Sequence, residues 1–115
     1  MKDKVLILGS AGFTGRHFSE FISRNNLKEI YDFVGCDYTI SGENDFRIIT
    51  LDLSVQANVD SLIENEMPDY IINLVGTYSV IDFMQLIKIN VGISKSILDI
   101  CFRSKIPVKN ILLLG

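Results

Sequence analysis

The chain has 115 residues, 48% of them hydrophobic and 22% charged, with a formal net charge of -3 and a pI near 5.0. That length allows one domain with one real core, burying roughly two-thirds of the unfolded surface. The acidic balance argues against nucleic acid or an anionic membrane as partner, and no apolar run approaches the ~20 residues that span a bilayer.

Lys4 to Leu8 (KVLIL) is a continuous aliphatic run and predicts a strand buried on both faces. The opening MKDKVLILG has lysines and an apolar stretch, but the stretch is too short for a secretory signal. From Phe13 to Asn25, Phe18, Phe21 and Ile22 fall on one helical face, and Asn25-Asn26 ends the pattern. Tyr31 to Cys36 predicts the second strand, and residues 38–46 read as a polar turn too short for a full crossover helix. Arg47 to Leu51 predicts the third strand. Ser54 is placed to cap a helix carrying Val55, Val59, Leu62 and Ile63 on one face, which Pro68 stops. Tyr70 to Val75 predicts the fourth strand. Val80 to Ser104 reads as one long helix, apolar nearly all round, with Phe83, Leu86, Ile87, Val91, Ile97, Leu98 and Ile100 on several faces. Asn110 to Leu114 predicts the fifth strand.

Strands alternating with helical patterns define an α/β class with a parallel sheet. Right-handed crossovers give a Rossmann-type, doubly wound sheet of five strands in the order 3-2-1-4-5. Cys36 and Cys101 lack metal or CxxC spacing and read as free thiols, one in a strand and one in a helix, of a chain in a reducing cytoplasm. An aliphatic fifth strand at a sheet edge leaves unpaired groups. Gly115 is therefore expected to be a cut or a limit of what was recorded, with later strands beyond it.

Chemistry concentrates in Gly9-Ser10-Ala11-Gly12-Phe13-Thr14-Gly15, between the first strand and the first helix. Gly9 can turn sharply off the strand. Gly12 lets a pyrophosphate approach the backbone N–H groups, and Gly15 lets the helix pack near the strand. Ala11 stands where the G-x-G-x-x-G pattern has its second glycine, so the loop alone is also readable as a plain strand-to-helix turn. Asp37 follows the last glycine by 37 − 15 = 22 residues, close to the ~20 at which an acidic residue meets a ribose hydroxyl. A carboxylate ~4 Å from a 2′-phosphate costs roughly 1–4 kcal/mol per unit charge, which favours NAD over NADP. Arg16 and Arg47 could offset that charge, and a strand-end turn residue is the other reading of Asp37. His17 reads as a partly exposed helix residue near the phosphates, and one histidine with two distant cysteines builds no triad or metal site.

The stretch V-L-I-L-G-S-A-G-F-T-G resembles the opening of the extended short-chain dehydrogenase/reductases, the NAD-dependent epimerase/dehydratase group acting on nucleotide sugars. Phe13 stands at that family's apolar position in the loop. Asp52-Leu53 is similar to the Asp-Leu that meets the adenine in that family. Pro68-Asp69-Tyr70-Ile71-Ile72-Asn73-Leu74 resembles its fourth strand, Ile89-Asn90-Val91 its N-V helix signature, and Ile97-Leu98-Asp99 its following L-L-E. The resemblance implies cofactor contacts at Gly9, Ala11, Gly12, Phe13, Thr14, Gly15, Asp37, Asp52, Leu53, Leu74, Val75, Gly76 and Asn90. It implies NAD as cofactor, a nucleotide-sugar substrate in the complete enzyme, and a homodimer through the helix at about 80–104.

Departures from the family pattern are specific. Val75-Gly76 stands where the family has two alanines, and Ile93, Ser94 and Ser96 replace its Gly, Thr and Asn. No Tyr-x-x-x-Lys pair exists, since Gly35, Gly42, Leu74 and Asp82 stand four residues after the four tyrosines. In the family that Tyr is the proton donor and acceptor. The chain is thus expected to hold the dinucleotide-binding domain over residues 1–115 without a substrate domain. Hydride transfer between sugar C4 and nicotinamide would belong to the complete enzyme. The competing expectations are a non-catalytic dinucleotide-binding or sensor module, and an interaction fragment whose glycine turn is only structural.

Overall fold

The computed structural model describes residues 1–39, 46–76 and 83–113. Five strands form one sheet: β1 (Asp3–Leu8), β2 (Tyr31–Asp37), β3 (Arg47–Thr50), β4 (Tyr70–Asn73) and β5 (Asn110–Leu113). All four pairings are parallel and the order is β3-β2-β1-β4-β5, as the alternating pattern predicts. The helices are α1 (Phe13–Arg24), α2 (Gln56–Glu66), α3 (Phe83–Asn90) and α4 (Gly92–Arg103).

The central strand β1 is covered on both faces. Leu6 and Leu8 enter a core with Val59, Ile63, Ile93 and Ile97 of α2 and α4. Val5 and Ile7 enter a second core with Ile22 of α1 and Phe33 of β2. Alternate residues of one strand thus feed two layers, which requires the unbroken aliphatic run in the sequence. Leu8 pairs with Cys36 on one side and Asn73 on the other. The ends of β1, β2 and β4 are therefore level, and their following loops emerge together at one edge. That edge holds the topological switch point of the order, since the chain leaves β1 to one side for β2 and to the other for β4.

Several expectations are corrected. The long helix is two helices broken at Val91, where φ is -101°. Asn90, Val91 and Gly92 are all weak helix formers, and the break falls on them. Hydrogen bonds from Val91 N to Ile87 O and from Lys95 N to Val91 O keep the two pieces in series. The expected start at Val80 lies outside the described residues, as do the side chains of Phe83 and Leu86, residues 40–45 of the polar turn, and Leu114. Ser54 does not cap α2: Val55 is the N-cap and is half exposed. The Ser54 hydroxyl instead donates to Asp52. Phe21 is 53% exposed on the flank of α1, while Ile22 is fully buried. A single turn of 3-10 helix at Leu27–Glu29 lies between α1 and β2. Helix α2 ends with Met67 in the left-handed region at φ 47°, its N–H bonded back to Ile63 O; Pro68 follows directly, and its ring disfavours a right-handed helical conformation at the residue before it. No helix among the described residues is long and apolar enough to cross a membrane.

Candidate functional site

The site is built where the loops after β1, β2, β3 and β4 converge. Gly9 turns the chain off β1 at φ +86°, and an added Cβ would lie 2.8 Å from Val75 N and 2.9 Å from Leu74 C. Both the conformation and the close approach of the β4 loop exclude a side chain there. The turn is held by β2: the Cys36 carbonyl accepts from Gly9 N at 2.8 Å. One residue on, the Asp37 carboxylate accepts from Ala11 N at 2.9 Å and from Tyr38 N at 2.6 Å. The 22-residue spacing thus brings Asp37 onto the glycine turn itself.

Gly12 is the N-cap of α1, and its N–H is turned inward to Gly9 O at 3.3 Å. Among the described residues, an added Cβ at Gly12 would meet only Gly9 O, at 3.6 Å, so they leave that side open. The first turn of α1 carries no acidic residue. Its leading N–H groups lack intrahelical acceptors and face outward with the positive end of the helix dipole. Phe13 and Thr14 are exposed in this turn, and the Phe13 ring meets His17 edge-on at 4.5 Å. His17 is itself exposed, with Nδ1 3.9 Å from Glu20. Gly15 is buried, and a Cβ there would lie 2.2 Å from Gly9 O.

After β3, Asp52 is exposed and accepts from Ser54 N at 3.0 Å and Ser54 Oγ at 2.6 Å. Those hydrogen bonds, with Lys88 nearby, hold its carboxyl below the usual carboxylate range. The Leu53 side chain is 6% exposed and lies in the α2–α4 core, so only its backbone is placed to meet a ligand. Leu74 and Val75 are partly buried and pack into opposite cores, with Leu74 N bonded to Leu8 O. Gly76 is exposed, and a Cβ on it would lie 3.5 Å from Asn90 Oδ1, so the end of α3 reaches the β4 loop.

Two groups at the site were missed in the sequence. Asn73 is 1% exposed; its Oδ1 accepts from Val75 N at 3.1 Å and its amide donates to Ser94 Oγ at 3.1 Å. It fixes the β4 loop to α4. A lone amide inside the apolar run YIINLV was its signal. Ser10 is the other, a turn residue that is only 1% exposed. The departures from the family pattern also find places. Ile93 is buried in the core, Ser94 receives Asn73, and Ser96 Oγ donates to Gln56 of α2 at 2.7 Å. Cys36 and Cys101 are both buried free thiols, in β2 and α4 as expected. Burial, then the Asp37 charge, pushes the Cys36 thiol up to about 12.

A glycine turn opening a helix at the switch point of a doubly wound parallel sheet defines the chain as a Rossmann-type domain. The chain belongs to the NAD dependent epimerase/dehydratase family, whose model matches residues 5–115. Among solved structures it is similar to UDP-glucose 4-epimerase from Brucella ovis in complex with NAD, with 26% identity and a TM-score of 0.71, covering 90% of this chain and 33% of that one. It is similar to the Bordetella bronchiseptica enzyme WbmG in complex with NAD and UDP, with 17% identity and a TM-score of 0.75, covering 96% of this chain and 36% of that one. The Bordetella bronchiseptica enzyme WbmH in complex with NAD+ matches at 18% identity and a TM-score of 0.71, covering 92% of this chain and 37% of that one. This chain therefore spans about a third of the length of these proteins. A comparison with curated protein sequences gave no match.

Proposed function

We propose that this chain binds a nicotinamide dinucleotide across the loops after β1 to β4, as the cofactor-holding portion of an enzyme that acts on a nucleotide sugar. The observation that carries this is the meeting of Asp37 with the glycine turn at Ala11, at the N-terminal end of α1. The residues fit the group. The helix end is open at Gly12, free of acidic side chains in its first turn, and flanked by a carboxylate suited to ribose hydroxyls. In this reading the N–H groups at the start of α1 hold the pyrophosphate and Asp37 the adenosine ribose. Asp52 and the backbone of Leu53 hold the adenine. Leu74, Val75, Gly76 and Asn90 lie toward the nicotinamide end. The dinucleotide would supply hydride acceptance and donation at sugar C4. Family membership and the NAD and UDP bound in similar proteins support that chemistry. No residue of this chain is assigned the proton transfer.

NAD is expected to bind more tightly than NADP, because Asp37 would oppose a 2′-phosphate by roughly 1–4 kcal/mol, or about five- to several-hundredfold. Asp37→Asn should erase most of that preference in calorimetric titrations with both dinucleotides. An unchanged preference would remove Asp37 from the site.

The homodimer is proposed through α3 and α4. Ile87, Val91, Leu98 and Phe102 are exposed along them, Phe102 by 89%. Their spacing follows one side of the helical period. Sedimentation should show a dimer that Phe102→Glu converts to monomer; a monomer without the substitution would sink this contact.

A further inference from the structure

We propose that Gly35, a β2 residue outside the glycine motif, positions the phosphate-facing turn through Ser10, and thereby sets dinucleotide affinity without touching the dinucleotide. The proposal rests on the cofactor reading above. Ser10 belongs to a strand-to-helix turn, yet it is 1% exposed. Its Oγ has no hydrogen-bond partner among the described residues. A buried hydroxyl without a partner is unfavourable, so hydrogen bonding does not account for Ser10 being there. Its place is defined by space.

That space is made by two glycines. A Cβ on Gly35 would lie 2.8 Å from Ser10 Oγ, 2.9 Å from Ser10 Cβ and 2.6 Å from Ile48 Cδ1. The Ile48 methyl ends a flexible side chain and can rotate away. The Ser10 Cβ is fixed to the turn and can move only with it. On the opposite side, a Cβ on Gly15 would lie 2.7 Å from both Ser10 C and Ser10 O. The backbone of α1 is thus directly behind Ser10, and the turn cannot retreat without moving the helix end. Gly9 is the one positive-φ glycine in the described chain, so Gly35 is needed for room and not for conformation. Its neighbours in β2 hold the same turn: Cys36 O accepts from Gly9 N and Ser10 N, and Asp37 accepts from Ala11 N. Residues 35, 36 and 37 therefore act as a template for residues 9, 10 and 11. A methyl at position 35 pushes the turn off both sets of hydrogen bonds and misaims the N–H groups that face the phosphates.

The test is a double-variant cycle on the whole chain: unmodified, Gly35→Ala, Ser10→Gly and the pair, each titrated with NAD and each melted. Gly35→Ala should weaken NAD binding about tenfold or more, and adding Ser10→Gly should restore most of it, because closely packed sites couple. A general loss of packing would not be reversed by trimming Ser10. Equal affinity in Gly35→Ala, or a loss that Ser10→Gly fails to restore, overturns the proposal. If Gly35→Ala alone does not fold, a folded, NAD-binding pair supports the proposal and an unfolded pair overturns it. If the unmodified chain binds no NAD, the cofactor reading fails, and the melting temperatures then decide the steric part: additive losses overturn it, and recovery in the pair supports it.

Discussion

Gly15→Ala should lower the melting temperature by about 8 °C or more. Two effects compete at this position. Alanine is the better helix former, by roughly 1 kcal/mol over glycine in a helix interior. Gly15 lies in the first turn of α1, where an exposed glycine would show that gain. Here the added methyl would lie 2.2 Å from Gly9 O and 2.7 Å from Ser10 C and O. All three are backbone atoms, so no rotamer change relieves the overlap. Overpacking of this kind costs about 1–3 kcal/mol, and more when backbone must move. With only backbone atoms in the way, the cost lies at about 3 kcal/mol or above, so the steric term wins by roughly 2 kcal/mol or more. Thermal melts by circular dichroism read the outcome, and a raised melting temperature would mean that α1 does not pack on the turn at residue 15.

The parts of this architecture that were legible in the sequence are those in which a residue's own chemistry decides its place. Val5 to Leu8 form an apolar run because both faces of β1 are covered, and the strand order follows from alternation and handedness. Asp37 stood out by its spacing from the glycines, and its carboxylate lies against the turn at Ala11. What was not legible depends on partners distant in sequence. The break at Val91 is hidden because the apolar period runs through it, from Ile87 to Ile97. Ser54 looks like a cap by residue type, but Asp52 stands two residues before it and takes its hydroxyl. Leu53 sits beside Asp52 in the motif, and strand-end geometry turns its side chain into the core. Gly35 carries no local signal: a glycine in a strand reads as a defect until Ser10 and Ile48 are seen against it. Asn73 shows itself as a lone amide, but its partner Ser94 is 21 residues away.

Gly12→Val should separate binding from stability in the opposite sense to Gly15→Ala. Gly12 has φ -75° and ψ 178°, an extended conformation that valine adopts readily. The nearest described atom to an added Cβ is Gly9 O at 3.6 Å, an ordinary contact. Valine is a poorer N-cap than glycine, at a cost of about 1 kcal/mol or less, or a fall of roughly 5 °C at most. Binding should suffer far more. A branched side chain at residue 12 would stand between the phosphates and the first N–H groups of α1. Hydrogen bonds to a charged group contribute about 1.5–3 kcal/mol each, so losing one weakens binding roughly 10- to 150-fold.

Calorimetric titration of NAD into the unmodified chain and into Gly12→Val, with both melts recorded, tests the phosphate-binding turn most directly. A cofactor site on this turn gives saturable binding to the unmodified chain and a loss of about tenfold or more in a variant that still melts cooperatively. Equal affinity in the two proteins would contradict it.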